Sequence, residues 1–275
     1  MTDINKFIRK KKIFFLDLDG TVYLGDKLIS GADKFLEALR KNNIHHYFLS
    51  NNSSRSKEDY VEKLKRMGIL AKLDQIILST DGVIEFLKKK NIKETYVLGT
   101  RSMKNMFKQA EIRTDSDDPE YVVLGYDTEL TYEKLKTASL FLSHGKRMLA
   151  AHCDIVCPSP EGPLPDVGAM LALLEKATGR KPERIFGKPN PDMIKHILEK
   201  HKASTDQIVM VGDRIYTDME FANRLKCDFI LVLSGETTPK DLKHLSFLPA
   251  LVVENLGQLA ADLAEARNQK IEDRR

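Results

Sequence analysis

The sequence predicts an α/β protein built on parallel sheets, and three observations support this prediction. Short apolar runs rich in β-branched and aromatic residues alternate with longer amphipathic segments, as in sheets covered by helices. Several of the longer segments begin with a helix-capping residue, twice followed by proline. Runs such as residues 13–16 contain no polar residue, which is typical of strands buried on both faces.

Short apolar runs are the predicted strands, and the segments between them are the predicted helices. Capping residues mark three of the helix starts: Thr131, Asn190 before Pro191, and Thr238 before Pro239. The sequence has no short-period repeat and no low-complexity segment, which excludes solenoid folds. The predicted strands are residues 13–17, 45–50, 76–79, 95–99, 121–125, 147–151, 208–212, 229–233 and 251–253.

The composition excludes several classes of protein. A chain of 275 residues suffices for one large domain or two modest ones, each with its own core. The 44 Lys and Arg residues and 40 Asp and Glu residues leave a net charge of +4, which is too small to predict nucleic-acid binding. No apolar run approaches the roughly 20 residues that span a bilayer, so we expect no membrane partner. The odd number of cysteines favours reduced thiols, and we expect a cytoplasmic protein.

Two acidic side chains directly follow the first predicted strand. Asp17 and Asp19 come where the apolar run ends, and Gly20 then allows the chain to turn. Because ligands of open α/β sheets bind beyond the carboxyl ends of the strands, we expect both acids at a functional site. With the two-residue period of a strand, their side chains start on the same side, close enough to share one reacting centre. The alternative for this pair alone is an ordinary acidic turn.

A second apolar run is followed by further carboxylates. The strand predicted at 208–212 leads into Asp213, and Asp218 follows near the predicted start of a helix at Thr217. Four acids then converge on one site, and their mutual repulsion requires a cation. Oxygen ligands combined with a substrate phosphate suit Mg²⁺, so we expect a magnesium-dependent site.

Two other segments have residues suited to binding an anion. One predicted strand ends at Ser50, and Asn51 and the residues after it offer hydroxyl, amide and backbone N–H groups at the predicted start of a helix. Lys188 lies between Gly187 and Pro189, immediately before another predicted helix. A lone lysine is usually a solvated surface charge, whereas one held between residues that restrict the backbone is suited to binding phosphate oxygens.

Together these segments resemble the motifs of the haloacid dehalogenase (HAD) superfamily of phosphohydrolases. The run from Asp17 to Thr21 matches the first motif, Ser50 with Asn51 the second, Lys188 the third, and Gly212-Asp213 with Asp218 the fourth. Four motifs in the right order are far more specific than any one of them. A metal-dependent glycosyltransferase also uses an Asp-x-Asp pair, but that function leaves Ser50, Lys188 and Asp213 without a role. Ser50 stands where family members often have threonine, and it retains the hydroxyl.

Three segments narrow the resemblance to the NagD-like branch, subfamily IIA, which includes the p-nitrophenyl phosphatases. They are residues 49–53, 178–191 and 212–214. The resemblance implies a hydrolase of phosphomonoesters that acts on small phosphorylated metabolites. Examples are p-nitrophenyl phosphate, sugar phosphates and nucleoside monophosphates.

The distance between the second and third motifs predicts an inserted domain. About 135 residues separate Ser50 from Lys188, more than one helix and one strand require. The NagD-like branch has a C2-type cap at this place. The resemblance therefore implies a Rossmann-like parallel-sheet HAD core at residues 1–80 and 186–275, with an inserted αβ C2-type cap domain at residues 81–185.

The resemblance also implies a role for each motif residue. Asp17 is expected to attack phosphorus and form an aspartyl-phosphate, while Asp19 protonates the leaving group and later activates water. Mg²⁺ is expected on the carboxylates of Asp17 and Asp213 and on the backbone carbonyl of Asp19. Ser50, Asn51 and Lys188 are expected to bind the phosphoryl oxygens. Asp218 is expected to orient the metal-binding groups and Lys188.

Two other functions stay open for the same core. It could transfer the phosphoryl group to a second hydroxyl, as a mutase or phosphotransferase does. It could also be a catalytically silent regulatory protein that only binds its ligand. The presence of Asp17, Asp19, Lys188 and Asp213 argues against the silent protein, because such a protein has no physical reason to retain clustered acids.

Substrate selection is expected to lie in the cap. A predicted strand is followed by His152 and Asp154, and then by a loop at 157–166 that contains four prolines. A strand end and a rigid loop can present fixed donors and acceptors, and in the NagD-like branch this segment faces the leaving group. We therefore predict that His152 and Asp154 select the substrate. The alternative is that they satisfy backbone groups inside the cap.

Overall fold

Strands and helices alternate along the chain in the order that the apolar pattern predicts. The computed structural model describes residues 7–8, 10–157, 159, 162–245 and 247–262. The chain divides into two units. The first unit comprises Met1–Leu49, Val61–Ile76 and Ile194–Arg275, and the second unit comprises Ser50–Tyr60 and Ile77–Met193.

The described residues form short strands and helices of moderate length. The strands are β1 (Ile13–Leu16), β2 (Tyr23–Leu24), β3 (Lys27–Leu28), β4 (His45–Ser50), β5 (Ile76–Leu78), β6 (Thr95–Leu98), β7 (Tyr121–Leu124), β8 (Arg147–Ala150), β9 (Val156–Cys157), β10 (Leu164–Pro165), β11 (Arg184–Ile185), β12 (Ile208–Gly212), β13 (Asp228–Val232) and β14 (Leu251–Val253). The α-helices are α1 (Ala32–Lys41), α2 (Lys57–Arg66), α3 (Ser79–Lys89), α4 (Arg101–Gln109), α5 (Tyr132–Ser143), α6 (Val167–Thr178), α7 (Lys195–His201) and α8 (Glu220–Leu225). None of these described helices combines the length and the apolar composition needed to cross a bilayer.

β1 lies inside a six-stranded sheet with the order β14-β13-β12-β1-β4-β5. It pairs in parallel with β12 on one side and β4 on the other, and β12, β13 and β14 continue the parallel pairing. All four residues of β1 are buried, which explains why this strand contains no polar residue. The chain adds β4 on one side of β1 and later β12 on the other. The switch point of the sheet, where ligands of such folds bind, therefore lies beside the carboxyl end of β1.

The second unit contains a four-stranded parallel sheet with the order β11-β8-β7-β6. Alternate residues of β7 pack into different cores, Tyr121 and Val123 into one and Val122 and Leu124 into the other. Helices α3 and α4 contribute to the first core, and α5 and α6 contribute to the second. Because both faces of the sheet are covered, the two-residue period of the strand leaves no position for a polar residue.

The predicted α/β class and all nine predicted strands are confirmed, with strand ends within one residue of those expected. The apolar pattern does not predict the two-residue strands β2, β3, β9, β10 and β11, because two residues are too few to show a period. Long buried strands are therefore readable from this sequence, and short edge pairings are not.

The predicted helix caps are partly confirmed. The hydroxyl of Thr131 accepts a backbone N–H at the start of α5, as expected. Asn190 accepts a backbone N–H of the next turn, but the segment that follows, Pro191–Ile194, is a 3₁₀ turn before α7. The helix predicted after Thr238 is a turn followed by a 3₁₀ segment at Asp241–His244. Capping chemistry thus marked where a helical turn begins, and it did not determine how far the turn continues.

Candidate functional site

Three carboxylates of the first unit converge at the carboxyl end of its sheet. Asp17 follows β1 and donates its backbone N–H to the carbonyl of Val211 in β12 at 2.9 Å. Asp213 follows β12, and Asp218 lies in a π-helical turn at Ile215–Met219. Carboxylate oxygens of the three acids lie within 4.8 Å of one another, and all three residues are buried. Neighbouring parallel strands therefore bring together acids that are about 200 residues apart in the sequence.

These three acids fit the predicted cofactor. The pKa of Asp213 is raised to about 8, first by burial and then by the charges of Asp17 and Asp218. A divalent cation removes this electrostatic penalty, and a donor set made only of oxygen suits Mg²⁺. Oδ2 of Asp218 also accepts the backbone N–H of Arg214 at 3.1 Å, which holds the chain beyond Asp213 in place.

Asp213 is held by one residue of the first motif and by one residue outside the motifs. The backbone N–H of Glu236 donates to its Oδ2 at 2.7 Å, and the hydroxyl of Thr21 donates to its Oδ1 at 3.4 Å. Glu236 lies beyond β13, the neighbour of β12 in the sheet. The sequence-based prediction missed this residue. Its position after a buried strand was the available signal, because parallel strands end at the same edge of a sheet.

Asp19 has the surroundings of a proton donor. Its pKa is raised, chiefly by burial and also by the charge of Asp17, against the opposing charges of Lys63 and Arg214. Asp19 nevertheless keeps exposed surface, so the neighbouring protein atoms desolvate its carboxyl without sealing it from water. A carboxyl that holds its proton more tightly and still reaches solvent can act as a general acid.

In the second unit, the side-chain amide of Asn51 forms hydrogen bonds with both the N–H and the carbonyl of Lys188. Its Oδ1 accepts the Lys188 N–H at 2.6 Å, and its Nδ2 donates to the Lys188 carbonyl at 2.9 Å. Gly187, with φ of +71°, approaches so closely that a Cβ there would lie 2.6 Å from Oδ1 of Asn51. The structure thus brings together two predicted phosphate-binding residues that are 137 positions apart.

Ser50 ends β4 and is buried, and its hydroxyl accepts the backbone N–H of Asn52 at 3.2 Å. The helix predicted to begin directly after Ser50 starts later, because α2 begins at Lys57. There the Ser56 hydroxyl accepts the Asp59 N–H, and the Asp59 carboxylate accepts the Ser56 N–H. The anion-binding groups beside Ser50 are therefore loop amides and hydroxyls, and the prediction that they open a helix is wrong.

The two residues predicted to select the substrate lie inside the second unit. His152 has no exposed surface, and its Nδ1 and Nε2 lie 3.6 Å from carboxylate oxygens of Asp154 and Asp166, respectively. The carboxylate of Asp154 accepts two contacts from Nδ2 of Asn51, at 3.1 and 3.2 Å. Of the proline-rich loop that follows, residues 158, 160 and 161 lie outside the described residues.

Comparisons with known proteins agree with the family resemblance. Residues 14–113 match the family model of the haloacid dehalogenase-like hydrolases, and residues 185–259 match a second model described as HAD-hydrolase-like. The chain is 33% identical over 258 residues to an acid sugar phosphatase of Staphylococcus saprophyticus. This match covers 93% of this chain and 99% of that protein.

Two solved structures are similar over nearly the whole chain. A 4-nitrophenylphosphatase from Thermotoga maritima has a TM-score of 0.89 at 43% identity, and the match covers 93% of this chain and 98% of that one. A glycerol phosphate phosphatase from Mycobacterium tuberculosis, in complex with magnesium, has a TM-score of 0.84 at 27% identity. That match covers 94% of this chain and 79% of the other.

Proposed function

Because the chain belongs to the haloacid dehalogenase-like hydrolases of the NagD and 4-nitrophenylphosphatase type, we propose that it hydrolyses small sugar and polyol phosphates. Membership of this group makes the protein a Mg²⁺-dependent phosphatase of small phosphorylated compounds. Two relatives, named as an acid sugar phosphatase and a glycerol phosphate phosphatase, support the finer choice of substrate. The main structural support is the buried trio of Asp17, Asp213 and Asp218.

In the proposed mechanism, Asp17 is the nucleophile and Asp19 moves the protons. A carboxylate oxygen of Asp17 attacks phosphorus, the bond from phosphorus to the ester oxygen breaks, and Asp19 gives its proton to that oxygen. Water then attacks the aspartyl-phosphate and passes a proton to Asp19, and phosphate leaves with the Asp17 carboxylate restored. The raised pKa of Asp19 supports the first of its two roles, because burial makes the carboxyl hold a proton more tightly than a free aspartate does.

The carboxylates of Asp17 and Asp213 and the backbone carbonyl of Asp19 are the proposed ligands of Mg²⁺. The ion, when bound, neutralises negative charge on the phosphoryl oxygens. We assign Ser50 and Lys188 to binding the same oxygens, as the family resemblance implies. The Asn51 side chain is committed to the backbone of Lys188, so the proposed contribution of Asn51 to phosphate binding is its backbone N–H.

The family resemblance also assigns a different task to each part of the chain. We propose that residues 1–80 and 186–275 form the catalytic core and that residues 81–185 form a C2-type cap, which selects the leaving group. The four-stranded sheet of β6, β7, β8 and β11, which lies within 81–185, supports an αβ domain of this kind. A cytoplasmic location, where its cysteines stay reduced, completes the proposal.

A panel of phosphomonoesters, assayed at neutral pH with Mg²⁺, tests the proposed function. The panel contains p-nitrophenyl phosphate, hexose, pentose and glycerol phosphates, nucleoside monophosphates and pyridoxal phosphate, and released phosphate is measured. We expect the highest kcat/KM for a sugar or glycerol phosphate, and no turnover by Asp17→Asn. A preference for nucleotides would contradict the substrate class. Phosphorus NMR of the products separates hydrolysis from transfer to a second hydroxyl, and transfer would make the protein a phosphotransferase.

A further inference from the structure

We propose that His152 and Asp154 are positioning residues that hold Lys188 in place through Asn51. Polar contacts inside the second unit run from Asp166 through His152, Asp154 and Asn51 to the backbone of Lys188. The inference rests on the proposed function, in which Lys188 binds the phosphoryl oxygens. If the inference is right, substitution of His152 or Asp154 lowers kcat/KM by a similar factor for every substrate. The sequence analysis predicts instead that these residues change the preference between substrates.

The carboxylate of Asp154 determines which way the Asn51 amide faces. Both of its oxygens accept from Nδ2 of Asn51, at 3.1 and 3.2 Å. An amide turned by 180° would place Oδ1 against this carboxylate, where two acceptors repel each other. Asp154 therefore selects the orientation in which Oδ1 accepts the Lys188 N–H and Nδ2 donates to the Lys188 carbonyl.

Tight packing transmits the position of Asn51 to Lys188. The hydroxyl of Ser79 donates to the Asn51 carbonyl at 2.7 Å, which fixes the main chain of Asn51. A Cβ on Gly187 would lie 2.6 Å from Oδ1 of Asn51 and 3.0 Å from the carbonyl oxygen of Ala151, so the backbone before Lys188 has little room to move. Because the Lys188 N–H donates to the Asn51 amide and the Lys188 carbonyl accepts from the same amide, a reoriented Asn51 loses both hydrogen bonds.

His152 links Asp154 to a second buried carboxylate. Its Nδ1 lies 3.6 Å from Oδ2 of Asp154, and its Nε2 lies 3.6 Å from Oδ1 of Asp166. Among the described residues, neither nitrogen has a partner within hydrogen-bond distance, although the ring has no exposed surface. Each separation is only slightly longer than a hydrogen bond, so the ring lies between the two carboxylates with one nitrogen facing each of them. Asp166 is itself fixed, because its Oδ1 accepts the Val167 N–H at 2.6 Å at the start of α6.

Two hydrogen bonds fit this cluster better than a metal ion does. Ligand atoms of His152, Asp154 and Asp166 lie within 4.8 Å of one another, as in many metal sites. Each nitrogen of the imidazole, however, faces a different carboxylate. One ion can contact only one of these nitrogens, and the other would remain unpaired inside the protein.

A double-mutant cycle between Asp154 and Lys188 tests the inference. Asp154→Ala should lower kcat/KM by about 10- to 100-fold for p-nitrophenyl phosphate and for every natural substrate alike, because a misplaced binding group loses its effect on the transition state. In a Lys188→Ala background the same change should add less than about threefold, since the group that Asp154 positions is gone. Asp154→Asn keeps an acceptor for Asn51 and should recover most of the activity.

Binding of inorganic phosphate in the presence of Mg²⁺, measured by calorimetry, provides a readout besides activity. Its affinity should fall with Asp154→Ala and with His152→Phe, and these losses should vanish in the Lys188→Ala background. Asp127→Asn is the matched control, because Asp127 is also buried in the second unit and pairs with Lys134 at 2.9 Å. We expect this control to lower the melting temperature and to leave phosphate affinity unchanged.

The possible outcomes separate this inference from the proposed function. Additive effects in the cycle, or a changed ranking of substrates with unchanged hydrolysis of p-nitrophenyl phosphate, would overturn the positioning role alone. Full activity and phosphate affinity in Lys188→Ala would overturn the assignment of Lys188 to phosphate, and the positioning role with it. If Asp154→Ala does not fold, Asp154→Asn and His152→Phe serve in the same cycle. Each should then cost about threefold with Lys188 present and nothing without it, and equal costs in both backgrounds would refute the inference.

Discussion

Gly20 lies directly against the carboxylate of Asp213. A Cβ added to Gly20 would lie 2.5 Å from Oδ2 of Asp213, and one added to Gly235 would lie 2.0 Å from the same oxygen. The two glycines follow β1 and β13, the strands on either side of β12. The glycine of the first motif therefore does more than allow the chain to turn, because it also leaves the space that Asp213 occupies.

Replacing Gly20 by alanine should displace Asp213 and weaken Mg²⁺ binding. The new methyl group meets the carboxylate, and a side chain at φ of +89° adds strain of about 1 kcal/mol. We expect the Mg²⁺ concentration for half-maximal activity to rise at least about tenfold, a change of ~1.4 kcal/mol in binding free energy. Gly68→Ala is the matched control, because Gly68 has φ of +84° and no atom within 4 Å of the added Cβ. Equal effects of the two substitutions on Mg²⁺ binding would show that backbone strain alone is responsible.

Asp17 and Asp19 should respond differently to the chemistry of the leaving group. Asp17→Asn removes the nucleophile and should abolish both the covalent intermediate and turnover for every substrate. Asp19→Asn should reduce hydrolysis of alkyl phosphates far more than that of p-nitrophenyl phosphate, because p-nitrophenolate leaves without needing a proton. The ratio of kcat values for the two substrate types measures this difference. An equal loss for both would rule out Asp19 as the general acid.

Removal of Mg²⁺ should abolish activity and reveal a dependence of stability on pH. Without a cation, burial and the charges of Asp17 and Asp218 raise the pKa of Asp213 to about 8 from the ordinary value of 3.8. In the folded protein Asp213 keeps its proton up to about pH 8, whereas the unfolded chain loses it near pH 3.8. The contribution of this proton to the free energy of unfolding is therefore complete below pH 3.8 and is lost as the pH rises through about 8. Protein treated with EDTA should melt at a lower temperature at pH 9 than at pH 6.

Asp213→Asn provides the control for this pH effect. The variant lacks the titrating carboxyl, so its metal-free melting temperature should change less between pH 6 and pH 9 than that of the unaltered protein. Mg²⁺ should raise the melting temperature of the unaltered protein most at high pH, where the carboxylates are ionised. Full turnover in metal-free protein would refute the role of Mg²⁺, and identical pH curves for the two proteins would refute the raised pKa of Asp213.

His46 should make the protein sensitive to mild acid. It is buried in β4, and burial first, then the charges of Arg40 and His45, lower its pKa to about 4. In the unfolded chain His46 binds a proton near pH 6.5, whereas in the folded protein it stays neutral until the pH approaches 4. The free energy of unfolding is therefore highest above pH 6.5 and falls by up to about 3 kcal/mol as the pH approaches 4.

Urea unfolding between pH 4.5 and 7.5 measures this loss, which should be smaller in His46→Gln. His45→Gln, at the exposed neighbouring position, removes only the last of these three causes and should change the slope less than His46→Gln does. A slope in His46→Gln as steep as in the unaltered protein would assign the effect to other groups.

Much of the fold was predictable because its main elements have local causes. Strands buried on both faces must be apolar throughout, so runs such as β1 and β7 are visible in the sequence without knowledge of their partners. The positions of Asp17 and Asp213 were predictable for a related reason. An acid that directly follows a buried parallel strand must lie at the carboxyl edge of the sheet, where the other strands also end.

What the sequence alone determined is the series of buried strands and the acids at their ends, because these depend on neighbours within a few residues. Only the tertiary structure decided which groups surround each acid or anion-binding residue. Three features depend on residues far apart in the chain. They are the close approach of Gly20 to Asp213, the two hydrogen bonds between Asn51 and Lys188, and the complete burial of His152. No periodicity or local propensity encodes such contacts, because they arise when separately formed strands and loops pack against one another.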